Sequence, residues 1–294
     1  IKMANSIAYA QRFLPVIDDI YKANAVTTAL DTTTMDFGGV NEVKVLKVST
    51  TGLGDYSRST GYPAGDVTAT WETMKLTEER GKEISIDRMD DEETLGMAFG
   101  AVTGNFMREH VVPELDAYRF AKYAGTSGIL SATGAALTKD TIVPAIDTAV
   151  ASMDGAEVPA EGRVLFVNSD LKAVLNQALN RRWGSDSTVN TVLDGYNNMR
   201  IIYVPKTRFY TKIDLNDGSD EWGYAKNTAG VAINFMIIHP SAVVQVEKFA
   251  LPKIFTPDEN QKMDSWLFQF RLYHDAFVYE NKKNGIYLHP AAAS

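Results

Sequence analysis

The stretch STTGLGDYSRSTGYPAGDVTATWET, Ser49 to Thr73, lies between two segments in which apolar and polar residues alternate. The segment before it is EVKVLKV, Glu42 to Val48, and the segment after it runs from Met74 to Asp87. Alternation with a period of two is typical of half-buried strands. The sequence therefore predicts a long two-stranded ribbon with an extended, polar, glycine-rich tip.

A two-stranded ribbon cannot form a hydrophobic core of its own. Its larger apolar groups include Leu53, Tyr56, Tyr62 and Trp71, which need another surface to pack against. The simplest source of that surface is a neighbouring copy of the same chain. We therefore expect a subunit that assembles with its own copies rather than a self-contained enzyme.

The composition excludes several classes of function. The chain has 294 residues, of which 45% are hydrophobic, enough for one large domain or two ordinary ones. A formal net charge of −8 argues against a protein built to neutralise nucleic-acid phosphates. The absence of cysteine excludes disulfides, thiolate metal sites and thiol nucleophiles. No stretch predicts a signal peptide or a membrane span.

Residues 1–35 are predicted to form an arm. Ile17, Ile20 and Tyr21 share one helical face after Pro15, but so short a helix is marginal unless it packs on something else. Beyond the ribbon, the acidic run 90–93 opens a helical pattern, because acidic residues in a first turn complement the helix dipole. We expect one long helix over 93–124.

Proline should bend or interrupt that helix at Pro113. After Gly125 the pattern becomes mixed α/β, with loops predicted over 184–198 and 212–227. Ser169 or Asp170 is expected to cap the second of two helices. The remaining predicted elements are a helix over 141–153, a helix from Leu171 to Leu179, and strands over 163–168, 199–204, 231–238, 242–246, 248–255, 266–279 and 286–288.

No motif carries a recognisable chemistry. Gly52 and Gly54 begin a dinucleotide fingerprint, but Ser57 stands where the third glycine is required. The four histidines are far apart, and the acidic stretch 214–221 has its glycine misplaced for a calcium loop. The sequence predicts no catalytic residue, no cofactor and no metal. A hydrolase or sugar-binding enzyme using the α/β segment 163–204 remains an alternative.

The order of parts is arm, ribbon, long helix, α/β segment and returning strands, and this order resembles the major capsid protein of tailed bacteriophages. That family has the Hong Kong ninety-seven fold, which encapsulin shells share. Four local stretches also resemble the family: GKEISIDRMDDEET (81–94), VVPELDAYRFAKYAG (111–125), HPSAVVQVEKF (239–249) and ENKKNGIY (280–287).

The resemblance implies an α+β fold with an N-arm, an extended β-hairpin loop, a long spine helix in a peripheral domain, and a mixed α/β axial domain. The implied divisions are an N-terminal arm (1–35), the extended loop with the first peripheral-domain strands (36–92), the spine helix (93–125), the axial domain (126–230), and returning strands of the axial and peripheral domains (231–294).

The resemblance also implies a function. It is that of a structural, non-enzymatic subunit of an icosahedral phage head, which assembles into pentamers and hexamers around genomic DNA. The implied partners are copies of itself, portal and scaffolding proteins, and packaged DNA held by weak unspecific contact, with no membrane. The implied location is the virion, with assembly in the host bacterial cytoplasm. An encapsulin-type protein compartment is the alternative within this fold.

Contacts between subunits are expected at the ribbon and its base. The expected interface residues are Tyr56, Arg58, Tyr62, Trp71, Glu78, Glu79 and Arg80, the last three as ion pairs at the rim. Some family members cross-link subunits through a lysine of the extended loop. Because Arg58 is the only basic residue between Lys47 and Lys75, such cross-linking is not expected here.

Overall fold

The computed structural model of the chain describes residues 25–31, 42–93, 103–179 and 195–292. The chain forms two compact units, one of residues 33–78 and one of residues 1–32 together with 79–294. The predicted arm helix around Ile17, the first part of the predicted long helix and the loop after Gly184 up to Asp194 lie outside the described residues. None of the described helices is long and apolar enough to span a membrane.

The unit of residues 33–78 contains a two-stranded hairpin, but its second strand is not the one predicted. That strand lies mostly inside the stretch 49–73 predicted as the tip, and most of the predicted return segment, Glu78 to Asp87, belongs to a different, three-stranded sheet. Strands β1 (Glu42–Thr50) and β2 (Val67–Lys75) pair antiparallel over their full length, from Glu42 opposite Lys75 to Thr50 opposite Val67. The tip between them is polar and mostly irregular, with one small bridge between Ser57 and Gly61. Gly61 has a φ of +82°, which residues other than glycine rarely adopt.

After the hairpin, the larger unit continues with strand β3 (Glu78–Asp87), whose first residue belongs to the hairpin unit, and helix α1 (Arg88–Glu93). From residue 103 the chain is helical again, with a π-helical turn over Met107–Val111 that leads directly into helix α2 (Val112–Ala124). Pro113 does not interrupt the helix. It lies in the first turn of α2, where a missing N–H is tolerated, and the wider π turn precedes it.

A three-stranded sheet has the order β11-β12-β3, with β11 over Val243–Phe255 and β12 over Ser265–Val278. Strand β11 joins the two strands predicted over 242–246 and 248–255. A register shift between Glu247 and Phe249 marks the place where the sequence pattern is interrupted. The helix that includes α2 packs on this sheet through a cluster that contains Met107, Leu115, Phe268 and Phe270.

A six-stranded mixed sheet forms the other large layer, in the order β4-β13-β10-β5-β7-β6. The new strands are β4 (Leu130–Ser131), β5 (Val164–Asn168), β6 (Gly195–Tyr196), β7 (Met199–Val204), β10 (Ile233–Ile238) and β13 (Ile286–Pro290). Both faces of β5 are buried, as its continuous apolar run predicts.

Each face of this sheet has its own hydrophobic cluster. On one face Val164 and Phe166 of β5 join Phe120 of α2, and on the other Leu165 and Val167 join the helices α3 and α4. Helix α3 spans Ile142–Gly155 and helix α4 spans Lys172–Ala178. Successive residues of a strand point to opposite faces, so one short strand contributes to both clusters.

Two local predictions were wrong. The loop predicted over 212–227 contains a hairpin of β8 (Ile213–Leu215) and β9 (Tyr224–Lys226). The expected cap at Ser169 or Asp170 is instead provided by Asn168, whose side chain accepts a hydrogen bond from the backbone N–H of Asp170. The chain therefore turns one residue earlier, in a 3₁₀ turn that precedes α4.

A buried polar cluster fixes the short segment 25–31 to the larger unit. The carboxylate of Asp116, 0% exposed, accepts hydrogen bonds from the backbone N–H groups of Val26 and Thr27 and from the Thr27 hydroxyl. Two guanidinium groups complete the cluster: Arg208 donates a hydrogen bond to the carboxylate of Asp116, and Arg119 donates one to the hydroxyl oxygen of Thr27. Helix α2 thereby holds the end of the predicted arm.

Candidate subunit-interface surface

The hairpin has two unlike faces, and the pairing register defines them. Leu46 lies opposite Trp71 and Val48 lies opposite Ala69, so these four side chains share one face. Thr50 and Val67 continue the same face towards the tip. Lys47 lies opposite Thr70 on the other face. This face is therefore mainly apolar from Leu46 and Trp71 to Val67, whereas Lys44 and Thr73 make it polar nearer the base.

This apolar face is exposed. Trp71 is 65% exposed and Leu46 48%, and both Val48 and Val67 are exposed as well. Of the ten large hydrophobic side chains that are exposed within the described residues, seven belong to the hairpin and its tip. A contiguous exposed apolar surface is typical of a protein–protein interface. We call the side chains of Leu46, Val48, Val67, Ala69 and Trp71 the apolar face.

The tip presents two tyrosines side by side. The ring centroids of Tyr56 and Tyr62 are 5.0 Å apart with an interplanar angle of 59°, and Tyr62 is 89% exposed. Arg58 lies between them in an exposed turn. Tyrosine combines apolar ring area with a polar end, which suits it to interfaces. The structure thus places four of the expected interface residues on the hairpin, all of them at least partly available for contact.

The three charged residues at the hairpin base differ from this group. Glu78 accepts a hydrogen bond from the Thr77 hydroxyl, and Glu79 forms an ion pair with Arg271 of β12. Arg80 is directed inward. Its guanidinium bonds both carboxylate oxygens of Glu114, the nearer at 2.6 Å, and the backbone carbonyls of Asn216 and Gly223.

Arg80 therefore joins β3 to helix α2 and to the β8–β9 turn within one chain. An arginine fork bonded in this way has few donors left for a neighbour. Its bonds hold β3, α2 and the β8–β9 turn together within the larger unit. Its place at an interface stays a prediction.

Sequence reasoning identified Trp71 but did not select Leu46, Val48 or Val67 as interface residues. Their alternation with polar residues was visible, but the face to which each belongs depends on which residues of β1 and β2 are opposite each other. The register of a ribbon with a long irregular tip does not follow from the sequence.

Some of the groups considered for catalysis or metal binding make contacts within the chain. Across the described ranges, no three His, Asp or Glu side chains are arranged to hold a metal ion. Asp217 in the acidic turn accepts hydrogen bonds from its neighbour Ser219. Asp275 is buried and bonded to the Tyr118 hydroxyl, while burial lowers the pKa of His274 to about 3 and keeps its imidazole neutral at pH 7.

Comparison with known proteins identifies the class of fold. No family model matches the chain, and no curated protein matches it in sequence. Solved structures do match over most of the chain, and they include phage capsids. The chain has the capsid fold of tailed phages, and the prediction of the Hong Kong ninety-seven fold is confirmed.

Three structures illustrate the likeness. A structure from Gordonia phage Cozz has a TM-score of 0.61 and 15% identity, over 92% of this chain and 87% of that one. The capsid of cyanophage P-SCSP1u has a TM-score of 0.59 and 14% identity, over 88% and 85%. A virus-like particle from Pyrococcus furiosus has a TM-score of 0.59 and 11% identity, over 96% and 99%.

Proposed function

We propose that this protein is a structural subunit of an icosahedral bacteriophage head, which assembles into pentamers and hexamers that enclose genomic DNA. The observation that carries the proposal is the exposed apolar face on a hairpin of a capsid-type fold. An isolated subunit leaves this surface in water, and a neighbouring copy would cover it. Fully burying an exposed Leu side chain contributes about 1.5–3 kcal/mol, and Leu46, which is 48% exposed, would gain about half of that when covered.

The proposed roles of the parts follow the capsid plan. Residues 1–35 act as an arm towards a further neighbour, 36–92 as the extended loop, and 93–125 as the spine helix. The axial domain is 126–230, and strands from 231–294 complete both domains. The hydrogen bonds from segment 25–31 to Asp116 support an arm that leaves the body at a fixed point.

The proposed partners are other copies of the chain, a portal and scaffolding proteins. DNA contacts would be weak and unspecific, because the chain has a net charge of −8. The proposed location is the virion after assembly in the host bacterial cytoplasm. The role is mechanical rather than enzymatic. The proposed interface contacts are Tyr56, Arg58, Tyr62, Trp71, Glu78, Glu79 and Arg80.

An encapsulin-type compartment is a second candidate. The observation in its favour is the likeness to the virus-like particle from Pyrococcus furiosus, which covers 99% of that chain. The two candidates differ in what the particles contain. Co-purification of DNA and a portal supports the phage head, whereas a co-purifying enzyme inside the particles supports the compartment.

The central test removes the apolar face and leaves the hairpin. We expect the double variant Leu46→Ser with Trp71→Ser to remain folded, with an unchanged circular dichroism spectrum, but to form no megadalton particles in sedimentation or negative-stain images. The matched control is Thr68→Ser with Thr70→Ser, which alters the opposite face of β2. Normal shells from the apolar-face variant would contradict the proposal, as would a wild-type protein that remains a 32.4 kDa monomer under all assembly conditions.

A further inference from the structure

Two connections between the six-stranded sheet and the three-stranded sheet lie side by side. The first is a 3₁₀ turn over Pro240–Ala242, between β10 and β11, and the second is a 3₁₀ segment over Glu280–Gly285, between β12 and β13. They are bonded to each other, because the backbone N–H of Tyr279 donates to the carbonyl oxygen of Ala242 at 3.0 Å. We call this meeting point the corner. Its contacts help to join the two sheets.

His239 caps the first connection and bonds it to a third segment. Its Nδ1 accepts a hydrogen bond from the backbone N–H of Ser241 at 3.2 Å and lies 2.8 Å from the Ser241 hydroxyl oxygen. Its Nε2 lies 3.1 Å from the backbone carbonyl oxygen of Glu161, in the turn before β5. A single imidazole therefore joins the corner to the turn 161–162.

These partners determine which ring nitrogen of His239 carries the proton. A carbonyl oxygen only accepts hydrogen bonds, so Nε2 is protonated, and a backbone N–H only donates, so Nδ1 is not. The cap therefore requires the neutral imidazole. A proton added at Nδ1 would face the backbone N–H of Ser241, and that bond would be lost. The Ser241 hydroxyl can reverse its own bond, but the backbone N–H cannot.

The surroundings of the ring disfavour the added proton. Burial lowers the pKa of His239 below its usual value, and the cations Arg163 and Lys282 lower it further, while the bond to the Glu161 carbonyl acts in the opposite direction. Arg163 lies next to the turn 161–162 and is paired with Asp154, and Lys282 lies on the second connection. The two segments that meet at the ring thus each bring a positive charge towards it.

We propose that His239 is a pH-sensitive latch on the corner: the neutral ring holds the first connection to the turn 161–162, and protonation at Nδ1 releases the cap. The proposal concerns the single subunit, so it does not depend on the proposed function. In mild acid the corner should open more often, and the joint between the two sheets should become more mobile.

Nitrogen NMR of the imidazole in the wild-type subunit tests the protonation state. The chain has four histidines, and the signals of His239 are assigned by their loss in His239→Asn. At pH 7.5 the shifts should be those of a ring protonated at Nε2, and the midpoint of the titration should lie below 6.5. A ring protonated at Nδ1, or a midpoint at or above 6.5, would overturn the latch.

Hydrogen exchange followed by mass spectrometry tests the release. Protection factors are compared at pH 7.5 and pH 4.5, which corrects for the intrinsic effect of pH on exchange. In the wild type, peptides that contain the amides of Ser241 and Tyr279 should lose about two- to tenfold of their protection at the lower pH, the range expected for one lost hydrogen bond.

The matched variant is His239→Asn, because asparagine also caps this position but does not titrate. Acid affects the rest of the subunit equally in both proteins, so the variant should lose less protection than the wild type by that two- to tenfold factor. Equal losses at the two amides would overturn the latch. If the variant does not fold, the NMR titration of the wild type still decides, since both the tautomer and the midpoint are measured there.

Discussion

Replacement of Asp116 by alanine should sharply destabilise the subunit. The carboxylate is completely buried and accepts four hydrogen bonds, at distances from 2.7 to 3.2 Å. Two come from backbone N–H groups of segment 25–31, one from the Thr27 hydroxyl and one from Arg208. The substitution leaves all four donors without their acceptor, and one of these donors is charged.

The size of the expected loss in stability follows from the burial of the Arg208 side chain. The Arg208 side chain is only 18% exposed, so its charge would be left largely desolvated and without its carboxylate. Breaking a buried ion pair by removing one partner costs about 3–5 kcal/mol. We therefore expect the free energy of unfolding of Asp116→Ala to fall by about 3–5 kcal/mol.

Urea denaturation of the unassembled subunit, followed by tryptophan fluorescence, measures this change. Hydrogen exchange at the Thr27 amide provides a local measurement, since that amide donates to Asp116 and should exchange faster in the variant. The matched control is Asp147→Ala, because Asp147 is exposed and accepts one bond from the Tyr196 hydroxyl. A loss below about 1 kcal/mol in Asp116→Ala, or no difference from the control, would refute the reasoning.

Two further predictions concern the larger unit. Burial lowers the pKa of His274 to about 3, from a usual value near 6.5. Between these two pH values the unfolded chain binds more protons than the folded chain, so the free energy of unfolding decreases as the pH falls from 6.5 towards 3. Between pH 7 and pH 5, the free energy of unfolding of His274→Phe should therefore fall by about 2 kcal/mol less than that of the wild type, as measured by denaturant titrations. Equal falls in the two proteins would contradict a lowered pKa of His274. Arg80→Lys should reduce the free energy of unfolding by about 1–3 kcal/mol, because an ammonium cannot reproduce the fork on Glu114 and the two carbonyls. Arg58→Lys at the exposed tip is its control and should change stability by less than about 0.5 kcal/mol in the same assay.

The sequence predicted most of the regular elements because their patterns are local. The alternation over Glu42–Val48 predicted the first strand of the hairpin, and the continuous apolar run 231–238 predicted a strand buried on both faces, β10. The alternation after the tip was assigned to the wrong partner, because most of it forms β3, which is in the sheet with β12. The π turn before Pro113 and the β8–β9 hairpin were not predicted. The β8–β9 hairpin is held by a contact with a distant segment, the bond from Arg80 to the Asn216 carbonyl.

The candidate interface surface was also predictable from the sequence only in part. By itself the sequence determined that a ribbon has too little apolar area for a core and leaves side chains such as Trp71 and Tyr62 exposed. Only the tertiary structure decided which side chains share the exposed face, because the face depends on a register between strands separated by a 16-residue tip. Tertiary packing also decided that Arg80 is directed inward, since its partners lie on α2 and the β8–β9 turn.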